Sequence, residues 1–152
     1  MSLRPATARA AVAVVLAGAV LGSSPASAAA PSATKYATAI VTKVNDVRAD
    51  HALVRLKRST CLQRFARKQA KAIAEAGTLF HQRLGKIQKA CKVGWVGENV
   101  AFSPGTPEQM VELWMGSPLH RANILFKKFR TTGVGVVKAD GYWWASQVFA
   151  GK

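Results

Sequence analysis

The chain has 152 residues, 22 of them Lys or Arg and 7 Asp or Glu, for a formal net charge of +15, and 49% are hydrophobic. The length excludes a multidomain machine, the apolar content excludes a disordered tail, and two cysteines are too few for a multi-bridge miniprotein. One basic globular domain remains.

Arg4 and Arg9 precede an apolar run from Ala10 to Leu21, broken only by Gly18 and followed by Gly22, Ser23, Ser24 and Pro25. Basic, apolar and small-residue segments in that order read as a secretory signal peptide. A helix of that run reaches about 18 Å against a hydrocarbon core of about 30 Å, so a permanent transmembrane anchor is the weaker reading. No later segment is expected to span a membrane. Ala26-Ser27-Ala28 fits the small-x-small cleavage rule, which makes residues 1–28 the signal peptide and residues 29–152 a single mature domain. Cutting after Ala30 would put Pro31 first and fits less well. The run holds no cysteine for a lipid anchor, so a freely exported, extracellular protein is expected.

Loss of Arg4 and Arg9 leaves 20 basic and 7 acidic residues, so the mature domain keeps a net charge of +13. In an oxidising compartment Cys61 and Cys91 are expected to pair. Closing their loop would stabilise the domain by roughly 3 to 4 kcal/mol on the chain-entropy model. A zinc site or two reduced buried thiols are the alternatives.

Along the mature chain, Tyr36, Ile40, Val41, Val44 and Val47 recur at helical steps, predicting a first amphipathic helix to about Ala49. Ser59 or Thr60 can cap a second helix that runs to Ala76 and stops at Gly77. Leu62, Phe65, Ala66, Gln69 and Ile73 share one side of it, while Arg64, Arg67, Lys68 and Lys71 form a basic stripe on the other. Leu79 to Val93, which holds His81 and Cys91, reads as irregular loop or short helix. Trp95 to Phe102 is rich in strand formers. Thr106-Pro107-Glu108-Gln109 combines an N-cap, a first-turn proline and a capping-box glutamine, starting a third helix that should carry Met110, Leu113 and Trp114 inward. Ser117-Pro118 starts a fourth with His120, Asn123 and Ile124. Gly133 to Val137 and Tyr142 to Phe149 form two strands around an Asp140-Gly141 turn. The expected class is α+β, with helices flanking a small antiparallel sheet.

Five pieces stand in order: His81; Gly97-Glu98-Asn99-Val100-Ala101; Trp114 through His120-Arg121-Ala122-Asn123 to Leu125; Gly133-Val134-Gly135-Val136; and Tyr142 through Phe149. Together they resemble the bacterial secreted members of the CAP superfamily, which also holds cysteine-rich secretory proteins, antigen 5 and pathogenesis-related 1 proteins. The likeness runs from about Tyr36 to Gly151 and includes Asn45, Arg48, Leu53 and Leu56 in the opening helix and turn. It implies an α-β-α sandwich with a cleft over the sheet, where family members gather two histidines and two acids, in some cases around a divalent cation.

Carried over by position, His81, Glu98 and His120 match that set. The place of a second acid, three residues after Trp114, is occupied by Ser117, which leaves Glu112 and Glu108 as acids on the same helix. Leu119 stands where bacterial relatives usually have glycine and is expected to crowd His120.

Two imidazoles and a carboxylate form an incomplete zinc set, with His81 and His120 as the candidate metal ligands. Their spacings supply no short ligand pair, so convergence depends on the fold. The alternative is that His120 and Glu98 hydrogen-bond in the cleft floor and hold the sheet to the helices. Ser117 and His120 at one helix start and Ser146 on the last strand do not amount to a serine triad, because Ser117-Pro118 is explained by capping and Ser146 by ordinary strand chemistry, and a bridged cysteine is no nucleophile. Adjacent Trp143 and Trp144 face opposite sides of a strand, either both as packing or one beside the cleft with Phe102 and Trp95.

The expected function is therefore a non-catalytic binding module, monomeric, for an amphiphilic or anionic polymer or lipid of the cell envelope. Like charges on the basic stripe repel and gain from an anionic partner, although a solvated face would look the same. A metal-dependent, protease-like hydrolase using the same cleft is the alternative. Specific nucleic-acid binding lacks any recognition motif.

Overall fold

A computed structural model describes residues 32–152; the expected signal peptide and its cleavage point lie outside them. Helix α1 (Ala33–Asp50) starts on Ser32, whose Oγ accepts from the Lys35 N–H at 3.3 Å, and buries Tyr36, Ile40, Val41 and Val44. Strand β1 (Lys57–Arg58) is followed by α2 (Thr60–Ala76), capped by Ser59 rather than Thr60 and ended by Gly77 in the left-handed region. Helix α3 (Leu84–Cys91) occupies the segment expected to be loop or short helix. Strand β2 (Trp95–Ser103) leads to α4 (Pro107–Gly116), where Thr106 and Gln109 form the complete capping box. Helix α5 (Pro118–Leu125) and the hairpin of β3 (Thr131–Ala139) and β4 (Tyr142–Gly151) complete the order. Asp140 and Gly141 both have positive φ, as a two-residue hairpin turn of the primed type requires.

The sheet order is β1-β3-β4-β2, and β1 runs parallel to β3. The sheet is therefore mixed, where an antiparallel one was expected. Two exposed residues carry no period of their own, and β1 exists only because Lys57 and Ser59 donate to the carbonyls of Arg130 and Thr132. Helices α1, α4 and α5 cover one face of the sheet and α2 with α3 the other. This is the α-β-α sandwich that the resemblance implies.

Side-chain size sets the distance between layers. A Cβ on Gly133 would lie 2.2 Å from the Gln63 nitrogen, and one on Gly135 would lie 2.3 Å from the Ala66 carbonyl carbon. Both glycines point at α2, whose backbone rests directly on β3. The valines that alternate with them, Val134 and Val136, enter the core under α1.

Asn45 and Arg48 act as staples. Asn45 donates to the Leu56 carbonyl and accepts from its N–H, at 3.0 and 2.7 Å. Arg48, fully buried, donates to the carbonyls of Val54, Ile124, Phe126 and Phe129, so four dipoles stand where a counter-ion would. Burial, and then the charge of Arg130, pulls its pKa below the usual arginine value. The Cys61–Cys91 disulfide ties the start of α2 to the end of α3.

One expectation about packing changes and one alternative is settled. Leu113 is 53% exposed, and Val111 takes its place beside Met110 and Trp114, because three residues at i, i+1 and i+4 already fill the buried stripe of a short helix. Trp143 and Trp144 both pack: Trp143 stacks on Tyr36 in the core under α1, while Trp144 lies with Ile73 and Val100 under α2. Among the described residues no helix is long and apolar enough to cross a membrane.

Candidate functional site: a carboxylate cage at the sheet edge

Strand β2 is the edge of the sheet opposite β1, so groups from both helical layers can meet around it. Alternation along β2 sends Glu98 toward the α2 side and Asn99 toward α5. Both are buried. Asn99 donates to the His120 carbonyl at 3.1 Å, and Asn123 donates to the Glu98 carbonyl and to the Asn99 side chain. Gly97 makes room for this, since a Cβ there would sit 2.7 Å from Asn123 Oδ1. The Gly97-Glu98-Asn99 and His120-Arg121-Ala122-Asn123 motifs are thus two halves of one hydrogen-bonded joint.

On the other side of β2 the Glu98 carboxylate, with no side-chain exposure, receives four donors. One oxygen accepts from His81 Nδ1 at 2.9 Å and from the Gln82 N–H at 3.2 Å. The other accepts from Ser146 Oγ at 2.9 Å and from the Gln82 side-chain amide. His81 itself is 56% exposed and closes the cage from the solvent side. Burial, and then the proximity of His81, lowers the pKa of His120 below the usual histidine value.

Gln82 was not singled out from the sequence, and Ser146 was read there as ordinary strand chemistry, not as a partner of Glu98. Ser146 could have been found from the register, because Glu98 pairs with Val148 and its diagonal neighbour on the same face is Ser146. Gln82 carried no such signal beyond following His81.

The remaining predicted residues lie elsewhere. Glu112 and Ser117 line an open groove of about 700 Å³ between the β2–α4 loop and α4, together with Gly105 and Leu113. At its α1 side the Tyr36 hydroxyl donates to the Gly105 carbonyl at 2.9 Å, and burial, with the Glu108 charge second, pushes that phenol up to about 12. Glu108 stays in the first turn of α4. Ser117 holds the N-cap position of α5, but its hydroxyl makes no capping bond; Pro118 and the Arg121 N–H on the Ser117 carbonyl start the helix instead. Leu119 is 81% exposed and does not crowd His120, which corrects that expectation.

Among the described residues no group of three or more His, Cys, Asp or Glu side chains is placed to hold an ion. Both Glu98 oxygens are engaged by protein donors, so the carboxylate is not free as a third ligand beside His81 and His120 and instead holds the Nδ1 edge of the His81 ring. The basic stripe also divides. Arg67 and Lys71 line a pocket toward β3, whereas Arg64 and Lys68 border a shallow depression beside Phe65.

The family model described as "Cysteine-rich secretory protein family" (CAP) matches residues 41–149. The uncharacterized protein YkwD of Bacillus subtilis (strain 168) is 46% identical over 56 residues; the match covers 37% of this chain and 21% of that protein, so the chain spans about a fifth of this curated relative. The crystal structure of an extracellular protein containing a SCP domain from Bacillus anthracis str. Ames superposes with a TM-score of 0.70 at 25% identity, covering 78% of this chain and 41% of that one. An outer surface protein from Borrelia burgdorferi gives a TM-score of 0.71 at 18% identity over 80% of this chain and 96% of its own, a likeness of fold.

Proposed function

The chain belongs to the cysteine-rich secretory protein (CAP) family, and on that premise we propose that it is an exported, non-catalytic binding module for an amphiphilic or anionic ligand of the cell envelope. The observation that carries this reading is the saturated Glu98 carboxylate. A general base must have a free lone pair within reach of the proton it abstracts, and four protein donors occupy this one. Ser146, the hydroxyl that donates to this carboxylate, is fully buried and has no face open to a substrate. What stays accessible is the outer face of His81 and, beside the start of α5, the groove with Glu112, Leu113 and Ser117. Exposed Leu113 and Leu119 beside polar groups suit a ligand with an apolar portion.

Export is supported by the sequence of residues 1–28, by the disulfide, and by the extracellular and outer-surface proteins among the similar structures. N-terminal sequencing of secreted material should find Ala29 first.

The binding reading is tested by comparing adsorption of the wild type and of Leu113→Ser with Leu119→Ser to isolated envelope fragments, alongside casein and short-peptide turnover. The double variant should adsorb several-fold more weakly with an unchanged melting temperature, and neither protein should turn over substrate. Sustained turnover that Glu98→Gln abolishes would overturn the reading in favour of a hydrolase.

A further inference from the structure

Beyond the second residue of its β1 pairing, strand β3 has no strand on the side away from β4. Gln63 alone reaches across, its side-chain amide donating to the Val134 carbonyl at 2.6 Å. The N–H and C=O of a strand residue point to the same side of an antiparallel pair, so the backbone of Val136 faces outward as that of Val134 does. At this open edge lies a pocket of about 430 Å³, walled by the first turn of α1 and by α2 and floored by Ala37, Val134 and Val136.

Arg58, Arg67 and Lys71 all line it, from two segments of the chain. Arg58 comes from β1 and is held by donating to Thr38 Oγ1 at 2.8 Å, which leaves the rest of its guanidinium fork for another acceptor. Arg67 and Lys71 come from adjacent turns of α2. Among the described residues only Glu75, 3.5 Å from Lys71 on the solvent side, offsets them. The first turn of α1 has no acidic residue and adds its positive end to the same space. Three cations around one cavity repel each other inside the fold and gain nothing from it unless an anion enters.

We propose that this pocket binds a phosphate ester. A guanidinium fork and an ammonium match the geometry and charge of a phosphate group, while the valine floor accommodates the carbon chain that an ester carries and an inorganic ion lacks. The pocket is separate from the Glu98 cage and from the α4 groove, and it does not depend on either having a ligand. The phosphate can belong to a lipid headgroup or to a soluble phosphate ester.

The division of the basic stripe supplies the control. Arg64 and Lys68 carry the same charge on the same helix but line a different depression, so removing them changes the net charge as removing Arg67 and Lys71 does. The purified protein, labelled with ¹⁵N, is titrated with glycerol 1-phosphate at low ionic strength, and adsorption to phosphatidylcholine vesicles with and without phosphatidylglycerol is measured in parallel. Saturable amide shifts are expected at Thr34, Lys35 and Val136. R67Q/K71Q should lose about tenfold in affinity, the equivalent of one charge-assisted hydrogen bond, whereas R64Q/K68Q should stay within about twofold. Loss of the soluble titration in R67Q/K71Q with vesicle adsorption intact assigns the site to a soluble phosphate ester. Loss of both, with glycerol 1-phosphate displacing the wild type from vesicles, assigns it to a headgroup. Equal weakening by both variants would mean a diffuse positive field and would overturn the proposal, as would unsaturable shifts.

Discussion

Replacing Glu98 by glutamine tests the cage with a single atom. The carboxylate accepts at both oxygens, two donors on each, and a carboxamide can accept at only one. The backbone N–H of Gln82 cannot rotate away, so the amide oxygen must stay on the His81 and Gln82 N–H side. The NH2 then faces Ser146 and the Gln82 side chain, and both can adapt: the hydroxyl turns to accept, and the Gln82 amide flips. No donor is left bare, but the two retained bonds lose their charge. Hydrogen bonds to charged groups contribute about 1.5 to 3 kcal/mol and neutral ones about 0.5 to 1.5, so the expected cost is about 2 to 3 kcal/mol. At roughly 3 to 6 °C per kcal/mol for a domain of this size, Glu98→Gln should melt about 10 °C lower.

Thermal melting followed by circular dichroism reads this, and Ser146→Ala sharpens it. In the wild type that change removes a donor from a buried charge; in Glu98→Gln it removes a partner of a neutral amide. The cost of Ser146→Ala should therefore be smaller in the variant, by about 1 kcal/mol. A melting temperature within about 2 °C of the wild type, or equal costs of Ser146→Ala in both backgrounds, would refute the four-donor cage.

Gly135→Ala places a methyl 2.3 Å from the α2 backbone and must lift the helix off the sheet, so a loss of more than about 3 kcal/mol is expected by urea unfolding. Because folded His120 resists protonation that the unfolded chain accepts near pH 6.5, stability should fall as pH drops from about 7.5 to about 5.5, and His120→Gln should fall less; equal slopes would contradict the burial of the imidazole. Calorimetric titration with zinc decides whether His81 and His120 hold an ion without a third protein ligand: saturable heat abolished by His120→Ala would establish the metal reading, and no saturable heat in the wild type would leave both imidazoles structural.

The parts of the fold that the sequence revealed are those written locally. The Ser59 cap, the Gly77 stop, the Thr106–Gln109 capping box and the Asp140-Gly141 turn each depend on residues within a few positions of one another, and each is where periodicity and capping place it. Helix α3 has none of these marks. Its N-cap, Arg83, makes no side-chain bond, and a lysine, Lys92, takes the left-handed position that glycine favours. It is held by the disulfide and by Ile87 packing under β4, both decided elsewhere in the chain. The cage at Glu98 was similarly half legible. His81 and Glu98 came from the family likeness, but Ser146 enters through strand register and Gln82 through the path of a loop.

The basic stripe shows how a correct local reading can still misstate a surface. At 100° per residue the four charges succeed one another around the helix as Arg67, Lys71, Arg64 and Lys68, spread over about 100°. A helix standing off its sheet would present all four to solvent as one band. Gly133 and Gly135 instead let the α2 backbone touch β3, which lowers the helix until its flanks stand close to the sheet edge on one side and to α3 on the other. Arg67 and Lys71 then fall beside Arg58 and the first turn of α1, while Arg64 stands within reach of Cys61 Sγ at 3.9 Å on the disulfide side. Two glycines on a strand far along the chain therefore decide which cations on α2 can act together. Restoring a normal helix–sheet separation should cost the pocket its geometry even with all three of its cations in place.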